Sequence, residues 1–123
     1  MFPYLDGCVA AGGHFNPLNR THGGPDDPVR HVGDLGNIIT PAGESSTPID
    51  IVDDIITLFD ATENIVGRTL VIHEGEDDLG DGGTPDSGTT GNAGGRVACG
   101  IVQSASSGQE AFARLHPRHD ERG

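Results

Sequence analysis

Lysine and tryptophan are missing from this 123-residue sequence, tyrosine and methionine occur once each, and aromatic residues make up only 4%. With hydrophobic residues at 33%, few side chains are available to fill an interior, which disfavours a long helical bundle. All seven basic residues are arginines, set against 19 acids for a net charge of −12. Such a surface repels phosphate backbones and anionic lipid, so neither nucleic acid nor membrane is expected as a partner. The acidity serves solubility first, and some of the carboxylates are candidates for binding metal. No apolar run approaches the roughly 18 residues of a membrane span. The opening MFPYLDG has neither the basic nor the apolar region of a signal peptide. A cytoplasmic location is expected.

Glycine (20 residues) and proline (8 residues) are abundant. The length suits one domain, and the composition suits a loop-rich β protein that draws part of its stability from a metal or a disulfide. Cys8 and Cys99 are too far apart for a close-spaced cysteine metal motif. They are either two free buried thiols or a bridge closing about 90 residues, worth roughly 4–5 kcal/mol in the chain-entropy account.

Residues 7–36 are rich in Gly, Pro, Asn and Asp and hold three of the six histidines, which reads as a long ligand-bearing loop. The run 47–59, TPIDIVDDIITLF, fits two templates. Thr47 as N-cap, Pro48 as first helical residue and Ile51, Ile55, Leu58 and Phe59 at helical spacing make a short helix. Its β-branched content, with Ile49, Ile51, Ile55 and Phe59 on one face, makes a strand. Residues 66–73 alternate and read as a strand ending in His73. Residues 74–95 form a second long loop of Gly, Asp, Ser and Thr, and 96–102 a final strand. In the polar tail, 103–123, one helical turn opened by Ser107 and Glu110 and stopped before Pro117 is expected, the rest being disordered.

His14, His22, His31 and Asp34 lie within 21 residues at spacings x7, x8 and x2. Three imidazoles and one carboxylate make a closed four-coordinate set suited to structural Zn²⁺, with the loop wrapping around the ion. The residues around these ligands carry more information. GHFNPL (13–18), HGGP (22–25), HVGDLGN (31–37), GRTLVIHE (67–74), DDLG (77–80) and GNAGGRVACG (91–100) together resemble the copper/zinc superoxide dismutase family, over about residues 7–102.

The resemblance implies an all-β fold, an eight-stranded Greek-key barrel of which about four to five strands are represented here, with long metal-binding and electrostatic loops. It implies a superoxide dismutase-like domain over 1–102 followed by the 103–123 tail, and it favours a strand over 47–51. It also implies Zn²⁺ on His14, His22, His31 and Asp34, with His14 bridging to a copper (Cu²⁺/Cu⁺) also bound by His73. Asp77 would orient ligand imidazoles, Arg96 would hold the superoxide anion beside copper, and Cys8–Cys99 would be a disulfide. The expected activity is antioxidant conversion of superoxide to O₂ and H₂O₂, in a homodimer.

The departures are equally specific. Relatives carry two further copper histidines as a His-x-His pair shortly before the first disulfide cysteine, and counting back from Cys8 that pair falls upstream of Met1. Residues 1–6 match nothing in the family. Gly75, Asp81 and Thr89 stand where many relatives have lysines that guide the anion. His116 and His119 in the tail are the alternative copper donors. Three readings follow from this: a dismutase whose activity as written is doubtful, a non-enzymatic zinc-binding remnant, or a truncated gene product lacking its first strands.

Overall fold

The two segments with clean alternation become the two longest strands, Thr69–His73 (β1) and Arg96–Ile101 (β2). They belong to a computed structural model that describes residues 8–43, 45–105 and 109–117. The strands pair antiparallel, from Thr69 opposite Ile101 to Ile72 opposite Ala98, and then the register shifts so that His73 faces Arg96. Val97 is the extra residue of this β-bulge, a device that re-aims side chains at the end of a ladder. Two chemistry-bearing residues are thereby set opposite each other at one end of the sheet.

Three shorter strands follow. Gln103–Ser104 (β3) pairs with Ala111–Phe112 (β4), and His116–Pro117 (β5) pairs with Ala98 and Cys99 on the second edge of β2. The result is a three-stranded sheet in the order β1-β2-β5 and a separate two-stranded sheet. The fold is all-β and antiparallel, and the sheets are not closed into a barrel. Gly100 lets the chain ahead of β5 lie close, since a Cβ there would overlap the Arg114 carbonyl. Among the described residues no helix longer than a 3₁₀ turn occurs, those turns being Val9–Ala11 and Pro85–Gly88.

Two expectations need correction. The segment 47–51 is neither strand nor helix, and its neighbourhood contributes only one isolated bridge, Thr57 to Asn64. A strand exists only where a neighbour accepts its ladder, and here the Asp53 carboxylate takes the N–H groups of Ile55 and Ile56 into a local turn instead. The helical turn expected near Glu110 is replaced by β4 and β5; Ser107, its proposed cap, lies outside the described residues, as do residues 1–7 and His119.

The interior is small and as polar as it is apolar. Cys8, Val32, Ala93, Cys99 and Val102 are buried, and so are His22, Arg30, His31, Asp34 and Ser87. Apolar burial at roughly 25 cal/mol per Å² has little to act on, so cross-links must hold the loops. One is covalent: Cys8 and Cys99 form a disulfide across 91 residues, fastening the first described turn to the centre of β2. Reduction of this bridge is expected to lower stability by up to about 4–5 kcal/mol, which for a small domain is most of the total. Mass spectrometry of the non-reduced chain should show two hydrogens fewer than the reduced one. An unfolding midpoint unmoved by reduction would contradict the role assigned to the bridge.

Candidate metal centre

No regular secondary structure spans residues 13–40, yet that stretch brings four side chains to a point. One ligand atom each from His14, His22, His31 and Asp34 lies within 4.8 Å of all the others. The Nδ1 atoms of His14, His22 and His31 stand 3.0, 2.9 and 3.2 Å from Asp34 Oδ1, and His14 Nδ1 is 3.1 Å from His31 Nδ1. Tetrahedral zinc with bonds of about 2.0–2.1 Å sets its ligand atoms about 3.3–3.4 Å apart, close to this spacing.

Hydrogen bonding separates a ligand set from a polar knot. His22 Nδ1 is buried without a hydrogen-bond partner, although Asp34 Oδ1 is near. Its other nitrogen, Nε2, is 2.6 Å from Asp77 Oδ1. With the ring proton on Nε2, donated to Asp77, a lone pair on Nδ1 is left directed into the cluster. Leaving a buried acceptor unsatisfied costs about 1–3 kcal/mol, and an ion at the point of convergence removes that cost. Asp34 is divided in the same way: Oδ2 accepts from the backbone N–H of Gly23 and His31, which leaves Oδ1 for the imidazoles. The donor set therefore fits Zn²⁺.

The charges are tuned to match. Burial pushes the Asp34 carboxyl up, but the His14 hydrogen bond, the two backbone donors and His22 outweigh it and hold the group at about 2. Burial opposes a charge on His22, while Asp77 and Asp34 together raise its pKa. The His31 pKa is lowered, first by burial and then by His14 and His22 against the pull of Asp34.

On the far side of His14 the ring of His73 lies with its centroid 6.3 Å away. His73 Nδ1 is 3.0 Å from the Gly94 carbonyl, so that nitrogen carries the proton and Nε2 is the free acceptor. Arg96 donates through its two terminal nitrogens to the carbonyls of Cys8 and Gly12. His14, His73, Arg96 and Arg68 line an open cleft of about 1070 Å³, together with apolar residues that include Ile51, Leu70 and Ile72. His116 stands apart, on β5 opposite Cys99.

Two positioning contacts involve residues that lie inside the quoted motifs, Asn37 in HVGDLGN and Gly91 in GNAGGRVACG, but were given no role there. Asn37 bonds the backbone of Asp77 twice, its Nδ2 donating to the carbonyl and its Oδ1 accepting from the N–H. Gly91 has φ +75°, and a Cβ there would overlap both Asp77 Oδ1 and His22 Nε2.

Comparison with known proteins agrees with this geometry. The family model for copper/zinc superoxide dismutase (SODC) matches residues 2–102, which corrects the expectation that residues 1–6 match nothing in the family, since all of them but Met1 fall inside the match. The chain is 54% identical over 97 residues to Cu-Zn superoxide dismutase 5 of Dictyostelium discoideum and 54% identical over 97 residues to the Cu-Zn superoxide dismutase of Humicola lutea. Each match covers 79% of this chain and 62% of the relative, so the chain spans a little over three fifths of the length of these relatives. A crystal structure of the clock protein EA4 superimposes with a TM-score of 0.72 at 51% identity, covering 76% of this chain and 59% of that one.

Gly91→Ala is expected to break the His22–Asp77 bond and weaken zinc binding by about 10- to 100-fold, the usual effect of losing a ligand's supporting partner. A chelator-competition titration measures this, and unchanged affinity would contradict it. Acidification is expected to release metal in two stages. Imidazoles bind metal only when neutral, and His22 takes up its proton above the ordinary 6.5, so affinity should fall first as pH drops through the imidazole range. Asp34, depressed from 3.8 to about 2, contributes fully above the higher value and is lost only as pH falls toward the lower. A zinc-release curve with no component near neutrality would refute this order.

Proposed function

The chain belongs to the copper/zinc superoxide dismutase family, and from that premise we propose that it holds Zn²⁺ on His14, His22, His31 and Asp34 and takes part in superoxide dismutation at an adjacent copper faced by His14 and His73. The observation that carries the reading is the convergence of the Nδ1 atoms of His14, His22 and His31 on one carboxylate oxygen, Asp34 Oδ1, with the buried His22 Nδ1 making no hydrogen bond. Copper, when bound, supplies the one-electron couple that oxidises one superoxide to O₂ and reduces the next to H₂O₂.

The remaining work falls to side chains of this chain. His14 presents Nδ1 to the zinc donors and has the His73 ring 6.3 Å from its own, so it stands between the two halves of the proposed site. Asp77 fixes the tautomer of His22 and raises its basicity as a ligand. Arg96, held by two carbonyls on the cleft wall, offers fixed positive charge and aimed donors to an anion. With a net charge of −12, long-range steering of superoxide opposes approach, so Arg96 and Arg68 act only at short range. Homodimeric assembly and a cytoplasmic location are part of the same proposal; no helix of the described residues is long and apolar enough to cross a membrane.

A non-enzymatic zinc-binding role is the second reading, and one feature favours it. Beyond the zinc donors, His73 is the imidazole that joins His14 in the cleft among the described residues, and two imidazoles do not set a copper geometry. The test combines metal analysis with superoxide consumption after a chelator has removed loose copper. About one zinc per chain is expected, lost in His31→Ala and Asp34→Ala. The 123 residues alone should consume superoxide poorly. The same chain joined to a segment bearing a His-x-His pair should be active and should lose that activity on His73→Ala. Equal zinc in the parent and both variants would sink the zinc assignment, and an inactive extended chain would leave the non-enzymatic reading in its place.

A further inference from the structure

The family match ends at residue 102, and the chain beyond it folds back along β2. Ala98 lies opposite Pro117, Cys99 opposite His116, Gln103 opposite Phe112 and Ser104 opposite Ala111, and the Ala105 N–H donates to the Glu110 carbonyl. Each step forward on one strand is matched by one step back on the other. The segments β2 with β3, and β4 with β5, are therefore the two arms of one hairpin in a single register. Between the paired stretches the return arm crosses Gly100, where the three atoms nearest to an added Cβ all belong to Arg114 and Leu115. None of the metal donors or cleft residues lies on this arm.

We propose that the return arm, residues 111–117, is a strap that governs the access of thiols to the Cys8–Cys99 disulfide, so that the bridge is reduced through local opening of the arm while β1 and β2 stay paired. Thiol–disulfide exchange requires a thiolate to reach a sulfur, and both cysteines are 0% exposed. Reduction therefore waits on an opening. Cys99 sits in the middle strand, opposite Val71 of β1 on one side and His116 of β5 on the other, and these two flanks are unequal. β1 holds β2 through five residue pairs, extended by the bonds of Val102 with Gly67 and Arg68. β5 contributes two residues, both exposed, and Pro117 has no N–H to give to the ladder. Segments with few buried contacts open at the lowest cost, so the arm opens before the sheet does. The consequence reaches the cleft, because the bridge sets the Cys8 and Gly12 carbonyls that hold the Arg96 guanidinium. Opening of the arm thus exposes the direction of that charge to thiol conditions.

Dithiothreitol is the probe. Its two thiols lose two hydrogens and close to a cyclic disulfide as Cys8 and Cys99 become thiols, which are alkylated and counted by mass spectrometry over time. In the full chain the reduction rate should rise with sub-denaturing urea far less steeply than global unfolding does, because local opening exposes little surface. Equal slopes would mean that reduction waits for global unfolding and would overturn the proposal. Gly100→Ala places a methyl group against the arm and should loosen it. Amide hydrogen exchange should quicken over 111–117 and stay unchanged over Thr69–His73, with reduction about 10-fold faster. Faster exchange of the arm with an unchanged reduction rate would overturn the proposal, and so would faster exchange of arm and β1 together, which marks a general loss of stability. Should Gly100→Ala fail to fold or leave exchange of the arm unchanged, the urea slope of the parent chain decides the matter alone. Neither metal nor superoxide enters the measurement, so failure of the zinc and copper reading would leave this test intact.

Discussion

Three imidazole nitrogens crowd one carboxylate oxygen, Asp34 Oδ1, at 2.9 to 3.2 Å, and the rest of the molecule is arranged around that convergence. The carboxylate is the hub because each oxygen has a separate task. Oδ2 collects the N–H groups of Gly23 and His31 and so folds the loop back on itself, while Oδ1 faces the ligands. A loop with little apolar content cannot collapse by burial, and here a buried charge with directional acceptors provides the organising centre. Such a centre is costly unless every lone pair is used. At His22 Nδ1, which makes no hydrogen bond, a bound cation would complete the arrangement.

From this hub the constraints run outward along two routes. One passes through His22 to Asp77, and from Asp77 through Asn37 back to the loop that carries Asp34. That circuit ties the second long loop to the first, so ordering either one orders both. The other route begins at the Cys8–Cys99 disulfide, which brings the carbonyls of Cys8 and Gly12 under the Arg96 guanidinium. The covalent bridge therefore does more than limit the unfolded chain. It also fixes the direction in which the cleft's best-placed positive charge points.

The cluster of His14, His22, His31 and Asp34 was legible because it is local: all four fall within one glycine- and proline-rich stretch, and their grouping needs no knowledge of distant partners. The strands ending at His73 and starting at Arg96 were legible from alternation. The segment 47–51 was not, because Ile49 and Ile51 carry a strand-like pattern whatever lies beside them, and strand propensity expresses packing against neighbours more than backbone preference. The Ser107 and Glu110 pattern failed near β4 for a related reason, since a one-turn helix has little cooperativity and the free edge of β2 offers backbone partners to β5. Arg30 with Asp53, and Asn37 with Asp77, leave no periodic trace; ion pairs and amide clamps between distant loops have no fixed spacing to read.

The two halves of the proposed bimetallic site differ in how much of the fold each requires. All four zinc donors come from a 21-residue stretch tightened by its own hydrogen bonds, so that half is complete within one loop. The copper side is assembled from separate elements: His14 from the loop, His73 from the end of β1, and Arg96 from the start of β2, brought opposite His73 by the bulge at Val97. Its geometry is therefore only as fixed as the sheet that carries it. Among the described residues that sheet has three strands, and Ile51, Leu70 and Ile72 line the open cleft beside it. The proposed zinc half thus takes its donors from one loop and its support from Asp77 of the next, whereas the proposed copper half takes its residues from the loop and both strands.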